Sequence, residues 1–402
     1  MKRDILFLCQ FFYPEYNSSA TLPFDTAKHL ASSGFRVGAL CGYPKEYSNA
    51  DNVPVNEYKD GVKIKRLKYL QLKRSGRIGR LINYFSFTLS ALLHIFEIKK
   101  YKSVIVYSNP PVLPLIAVLA NKLYKTKIVF VAYDLYPEVA YASNSVKRGS
   151  IIDRVMKYIN SRMYSAASGV VALSDEMKEF ILNNRSGIDA DKIAVIPNWA
   201  HEGSKAVDEA DYSRFGYNPS QFIVSYFGNM GVCQDVETML GAITQLKDND
   251  EIQFLIVGHG NKKEYVEQRT RGYKNVKVLD FLTGDEFESA LAISDCGIVS
   301  LENGLMGTCA PSKYYSYLQS GCAVFAVVEQ NSYIAKEVKA EGIGYAFKIG
   351  DGNELAEVIL NLSENREVCS EMKSNASELY KNRYSIEKAM IKYDELMKRV
   401  LN

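Results

Sequence analysis

Lys313 stands in the run Cys309-Ala310-Pro311-Ser312-Lys313-Tyr314-Tyr315, which Gly321 closes. Pro311 and Ser312 predict a helix start, with Ser312 as the capping residue. Lys313 then falls in the first turn, where the helix dipole disfavours a cation. A lysine placed there suits an anion such as a diphosphate at the same helix end; a solvated surface lysine is the plainer alternative. Two further segments repeat one theme. Tyr226-Phe227-Gly228-Asn229-Met230-Gly231 and Val257-Gly258-His259-Gly260 each end an apolar run and open a helical pattern. Glycine at a strand end lets backbone approach a ligand closely, and the helix start that follows attracts anions. Taken alone, Gly228-x-x-Gly231 suits a plain turn equally well, and His259 reads as a loop histidine with no catalytic role. Tyr133-Asp134 follows another apolar run. An aspartate at a strand end can position or deprotonate a hydroxyl, or simply cap a turn. Glu138 is a second candidate carboxylate.

These residues need a scaffold, and the apolar pattern supplies one. Ile5–Cys9, Arg36–Cys41, Ser103–Tyr107, Lys127–Val131, Gly169–Leu173 and Ile193–Ile196 read as buried strands, with helical patterns such as Thr21–Ser33 and Asp175–Asn183 between them. A polar stretch, 201–221, reads as a linker. The alternation resumes with strands at Phe222–Phe227, Phe254–Val257, Val276–Leu279, Gly297–Ser300 and Ala323–Val327, and ends in helices, the last at Ile386–Leu401. Strands alternating with helices imply parallel sheets with right-handed crossovers. The expected fold class is α/β, with two Rossmann-like, doubly wound domains facing a cleft: residues 1–200 for an acceptor, 222–385 for a donor, and 386–402 as a helix returning towards the first domain.

The bulk properties fit this division. A chain of 402 residues exceeds one comfortable core. Apolar content of 47% and charged content of 24% are ordinary for a globular protein. Seven scattered cysteines, none in a Cys-x-x-Cys pair, indicate neither a zinc site nor a disulfide framework. The start, Met1-Lys2-Arg3-Asp4-Ile5-Leu6-Phe7-Leu8, reads as a buried first strand rather than a signal peptide. No apolar run is long enough for a membrane span.

The net charge of +3 hides an uneven distribution. Between Gly61 and Phe96 there is no acidic residue, while Lys73, Arg74, Arg77 and Arg80 cluster just before the uncharged stretch Leu81–Phe96, which holds Phe85. A basic cluster beside an aromatic-rich amphipathic helix suits an anionic membrane surface. A buried helix with a solvated basic loop before it is the alternative. Nucleic acid is not expected, because no recognisable binding module accompanies the patch.

The sequence resembles the family 4 glycosyltransferases of bacterial surface-polysaccharide assembly, and among them amino-sugar transferases of the fucosamine-transferase kind. The resemblance rests on Phe11-Phe12-Tyr13-Pro14, Ser108-Asn109-Pro110-Pro111, Asp134-Leu135-Tyr136-Pro137-Glu138, Pro197-Asn198-Trp199, Gly228-Asn229-Met230-Gly231, and Pro311-Ser312-Lys313 with Gly321. It implies a GT-B fold and transfer with retention, by same-face attack since no nucleophile stands out. It further implies a UDP-sugar donor and no metal or other cofactor. The implied acceptor is an undecaprenyl-diphosphate-linked saccharide, reached by a cytoplasmic enzyme peripheral on the inner face of the cell membrane.

By that resemblance the donor side comprises Gly228, Asn229, Gly231, Gly258, Gly260, Met306, Gly307, Thr308, Pro311, Ser312, Lys313 and Ser316. Asn17, Ser18, Ser19 and Asn109 fall on the acceptor side, with Asp134, Glu138 and Lys313 as catalytic candidates. The chain departs from the family's pattern at several places. Thr308 and Ser316 stand where many members carry glutamates. Val232, Cys233, Gln234 and Asp235 provide no base where others place Arg and Lys. Asn17, Ser18 and Ser19 replace glycines. Lys313 is therefore expected to carry more of the diphosphate charge, helped by helix N-termini and the amides of the Met306–Ala310 loop. The rivals are a nucleotide-sugar epimerase of the same fold and a catalytically silent partner protein.

Overall fold

The computed structural model describes residues 2–44, 48, 52–72, 77–200 and 211–402. The chain forms two compact units. One comprises Met1–Asn198, Gly307–Ala310 and Ile386–Asn402; the other comprises Trp199–Met306 and Pro311–Ser385. Each is built on one sheet whose central strands are largely apolar and buried, as a sheet covered on both faces requires.

The first unit holds strands β1 (Arg3–Cys9), β2 (Val37–Gly42), β3 (Asn56–Lys59), β4 (Val62–Leu67), β5 (Tyr101–Tyr107), β6 (Lys127–Val131), β7 (Gly169–Ala172) and β8 (Ile193–Val195). Their spatial order is β3-β4-β2-β1-β5-β6-β7-β8. Only β3 runs antiparallel to its neighbour, pairing with β4. That hairpin falls outside the expected strands, although Asp60-Gly61 is a hairpin signal: both residues take positive φ, 48° and 82°. Leu6, Leu8, Val104, Val106 and Phe130 face one side, in one core with residues of the helices Arg77–Leu93, Pro114–Tyr124 and Ile151–Ala166. The alternate residues Ile5, Phe7 and Ile105 face the other side. The helices Ser18–Ser32 and Ile386–Leu401 pack against each other, the former also on β1 and β2, the latter on β6.

The second unit holds β9 (Phe222–Asn229), β10 (Ile252–His259), β11 (Val276–Leu279), β12 (Cys296–Ser300), β13 (Ala323–Val327) and β14 (Gly344–Phe347) in the order β11-β10-β9-β12-β13-β14, all parallel. Part of the expected linker, 201–210, lies outside the described residues. The remainder, 211–221, belongs to this unit, because Phe215 and Tyr217 within that polar stretch are buried.

In both sheets the chain runs outward from a central strand and then restarts on its other side. The switch lies between β1 and β5 in the first unit and between β9 and β12 in the second. A crevice opens at the carboxyl ends of such strand pairs, and the candidate residues gather there.

Candidate active site

In the second unit the helix Lys313–Ser320 sets the position of Lys313. Tyr317 anchors that helix: its hydroxyl accepts from the Phe227 amide at 2.9 Å, and its ring fills the space that Gly297 leaves open. Tyr314 donates to Glu337 at 2.5 Å, and Gly321, at φ 69°, turns the chain out. Lys313 Nζ is buried and makes no hydrogen bond, lying 3.4 Å from the centroid of the Tyr226 ring. Burial holds this ammonium well below the usual lysine range. A buried cation whose only company is an aromatic face lacks a counter-charge. The expected cap is absent: the Ser312 side chain makes no capping hydrogen bond, and its backbone is already helical at φ −61° and ψ −29°. Pro311 and Ser312 instead accept the Tyr314 and Tyr315 amides through their carbonyls. Ser316, half-buried, sits one turn further along.

The glycines divide by role. Gly228, at φ 109°, faces open space bounded by the Lys313 stem. Gly258 lies opposite Gly228 in the β9–β10 register, and a Cβ there would sit 1.8 Å from the Gly228 carbonyl oxygen. A Cβ on Gly260 would meet the Met230 carbonyl oxygen at 2.5 Å and Asn229 Oδ1 at 2.6 Å. At Gly258 and Gly260, both expected on the donor side, the missing Cβ admits the close approach of neighbouring protein atoms. A Cβ on Gly231 would meet the flexible Asn229 amide at 2.6 Å. His259 stacks edge-on to Phe281, and burial with the neighbouring Lys263 lowers its pKa, which favours the neutral ring.

A base does reach the residues after β9. Lys262 Nζ donates to the Gln234 carbonyl oxygen at 2.6 Å and pairs with Glu302 at 2.7 Å. It comes from the loop after β10, so a search confined to residues 232–235 misses it. The signal was available, since Lys262 and Lys263 open a helix after Gly260, the setting that singles out Lys313.

The loop after β12 departs from expectation. The Met306 amide donates to Glu329 at 3.3 Å. The stretch Gly307–Ala310 belongs to the first unit, where the Gly307 amide donates to Glu176 at 2.9 Å and the buried Thr308 accepts the Leu135 amide at 2.7 Å. The amides of Met306 and Gly307 are therefore committed to carboxylates and are not spare donors for a diphosphate.

In the first unit Asp134 follows β6 and forms an isolated bridge with Cys309. Ser108 Oγ accepts the amides of both Tyr133 and Asp134, at 3.1 and 3.0 Å, which fixes the turn after β6 against the end of β5. Among the described residues the Asp134 carboxylate has no hydrogen bond or ion pair, and burial pushes its pKa up to about 6. Glu138 differs: Arg185 grips it at 2.5 and 3.1 Å. The same guanidinium reaches the Tyr136 carbonyl oxygen at 3.1 Å, so this candidate carboxylate is tied to Arg185 and the turn before it.

At the β1–β5 switch, both polar atoms of the Asn17 side chain and Oδ1 of Asn109 are buried without partners. Buried amide groups without partners are costly, and these two converge on the same sheet edge as Asp134. Asn17 precedes the helix Ser18–Ser32 without capping it through its side chain; Ser18 is exposed and Ser19 half-buried. Lys73 and Arg74 lie outside the described residues, as does the side chain of Arg77, while Arg80 and Phe85 are exposed. Among the described residues no cluster of His, Cys, Asp or Glu is arranged to hold a metal ion.

The chain matches the glycosyl transferase 4-like domain over residues 24–199 and the glycosyl transferases group 1 domain over residues 221–365. It is similar to the probable glycosyltransferase WbjE of Pseudomonas aeruginosa, 27% identical over 226 residues, which cover 54% of this chain and 55% of that protein. The match thus spans about half the length of that relative. It is also similar to the putative colanic acid biosynthesis glycosyl transferase WcaI of Escherichia coli K12, 22% identical over 77% of this chain and 79% of the other. Among solved structures, Anabaena HepE in complex with UDP and glucose superposes with a TM-score of 0.72 at 16% identity, covering 98% of this chain and 99% of that one.

Proposed function

The chain belongs to the family 4 glycosyltransferases and has their GT-B fold, and from that premise we propose that it moves a sugar, with retention, from a UDP donor to a lipid-diphosphate-linked saccharide. The sugar of this proposal is an N-acetylamino sugar, and the setting is bacterial surface-polysaccharide synthesis at the inner face of the cell membrane. The setting is supported by the name of one relative, a putative colanic acid transferase. The nucleotide is supported by HepE, a structural relative described with UDP and glucose.

One observation carries the reading: the buried, unpartnered Lys313 ammonium beside Gly228. The diphosphate binds there, and the charge it gains as the glycosidic bond breaks is met by Lys313, with Lys262 as a second cation from the same sheet edge. Preorganised charge of this kind is commonly the largest catalytic contribution. These cations perform the neutralising role that a divalent metal fills in other transferases. Asp134 receives the acceptor hydroxyl and takes its proton, in keeping with a pKa of about 6. Attack comes from the face that the leaving group vacates, and no covalent glycosyl intermediate forms.

The test is nucleoside-diphosphate release from a panel of UDP- and GDP-sugars, with and without a lipid-diphosphate-linked acceptor, in wild type and Lys313→Ala. Acceptor-dependent release that falls about 10²–10³-fold in the variant is expected. Sugar interconversion without acceptor would reveal an epimerase. Tight UDP binding with no turnover of any donor would favour a silent partner, a rival kept in view by Thr308 and Ser316.

A further inference from the structure

The basic run before Leu81 directs attention to one helix, but the folded first unit presents a wider face. Along the helix Arg77–Leu93, Asn83, Phe87 and Ala91 are buried at four-residue spacing. The opposite side exposes Ile78 (74%), Leu81, Phe85 (59%), Leu89 and Leu93 (72%). Residues three or four apart share one helix face, so these form a continuous outer stripe, extended by Phe96 on the short helix that follows.

The stripe has neighbours. The helix Pro114–Tyr124 packs against both Arg77–Leu93 and Ile151–Ala166, and all three contribute to one core on one side of the sheet. Their outer sides therefore adjoin. The middle helix exposes Leu119 and Leu123. The third exposes Ile151 (79%), Ile152, Val155 and Tyr158. Exposed apolar area on this scale is uncommon on a monomer's free surface and marks an interaction site.

Charge decides what covers it. Arg77–Leu93 and Pro114–Tyr124 contain no Asp or Glu, and the one acid of the third helix, Asp153, is buried and held by Tyr141 and Lys157. Glu97 lies between Lys65 and Lys100. Against this, Arg80, Lys122, Arg154, Lys157 and Arg162 are exposed. A face that exposes apolar side chains and basic groups but leaves no carboxylate unpaired matches an anionic lipid surface, whose acyl boundary takes the former and whose headgroups take the latter. No helix among the described residues is long and apolar enough to cross the membrane, so the face lies on the bilayer.

We propose that the outer sides of these three helices together form the surface on which the protein docks to an anionic bilayer, with Ile151–Ala166 contributing as much as Arg77–Leu93. This deepens the membrane setting proposed above, and its measurement uses neither donor nor acceptor, so its failure leaves the transferase reading to its own assay. The full chain is co-sedimented with phosphatidylglycerol–phosphatidylcholine vesicles and with pure phosphatidylcholine vesicles, at low and high salt. The variants are Phe85→Ser with Leu89→Ser, Ile151→Ser with Val155→Ser, and the charge reversals Arg80→Glu and Arg154→Glu. All positions are exposed, and unchanged circular dichroism with unchanged thermal unfolding verifies each fold. Binding is expected only to the anionic vesicles and to weaken with salt. Each apolar double variant should lower the partition coefficient at least about tenfold, and each charge reversal about fivefold or more. Loss in the Phe85/Leu89 pair alone would overturn the three-helix face while sparing the membrane setting. Absence of binding would overturn both. Self-association of the wild-type chain that the same apolar substitutions abolish would assign the face to a second copy and overturn the proposal.

Discussion

Burial shifts both Lys313 and Asp134 towards the uncharged form, and each shift makes a measurable prediction. A lysine depressed by burial regains its proton when an anion reaches it. UDP binding is thus expected to take up a proton at pH values between the free and bound pKa. Calorimetry in buffers of different ionisation heat would detect the uptake, and Lys313→Ala should abolish it. Asp134 rises from its ordinary 3.8 to about 6, so folding favours its neutral form. The stability that this form confers is present in full below about pH 4 and is lost as pH rises towards 6. Asp134→Asn is then expected to raise stability at pH 7.5, by up to roughly 3 kcal/mol, and to leave it unchanged near pH 3.5. The same substitution should remove the acidic limb, near pH 6, from the kcat/KM profile. Both stand out as candidates in the sequence, Lys313 because a cation in a first helical turn runs against the helix dipole and Asp134 because it closes an apolar run. The partners of Glu138 and Lys262 are not legible there, because they lie distant in sequence: Arg185 for the former, Gln234 and Glu302 for the latter.

The strands and helices were largely legible, because apolar runs bounded by turns are enforced by burial on both faces of a parallel sheet. The misses have local causes. The β3–β4 hairpin is short and half-exposed, and the N-terminus of Ser18–Ser32 falls three residues before the expected Thr21. Glycine roles were not legible, since a glycine that admits a ligand and one that admits a neighbouring strand look alike in sequence. This yields a contrast between Gly228 and Gly258. Gly258→Ala forces a Cβ into the Gly228 carbonyl and should cost about 3 kcal/mol or more, or prevent folding. Gly228→Ala meets nothing closer than the Lys313 stem at 3.8 Å and should cost only about 1–2 kcal/mol of backbone strain, at φ 109°, while weakening UDP binding. Denaturant titration beside UDP titration separates the two. Ser312→Ala, which removes no capping bond, should leave stability within about 0.5 kcal/mol of wild type.

Over the whole molecule, the first unit is assembled from three stretches of chain, the last of them Ile386–Asn402. In the helix Ile386–Leu401 that stretch buries Met390, Tyr393, Leu396, Met397 and Val400, and Leu396 and Val400 fill the space against Gly169 on β7. His29 and Ser33 bind Asp394 at 3.2 and 3.1 Å, and Lys392 reaches the Val195 carbonyl at 3.1 Å. The core of the first unit is therefore incomplete without the helix Ile386–Leu401. Met397→Ala, at a fully buried position, should remove about 2–5 kcal/mol from that unit. The chain's one tryptophan, Trp199, is buried in the second unit, which makes the effect separable. Far-ultraviolet circular dichroism follows both units, whereas Trp199 fluorescence follows the second. Met397→Ala is expected to advance part of the circular dichroism transition to lower denaturant and to leave the fluorescence midpoint in place. An equal shift of both signals would mean that the terminal helix supports the whole chain as one cooperative body, contrary to its placement in the first unit's core.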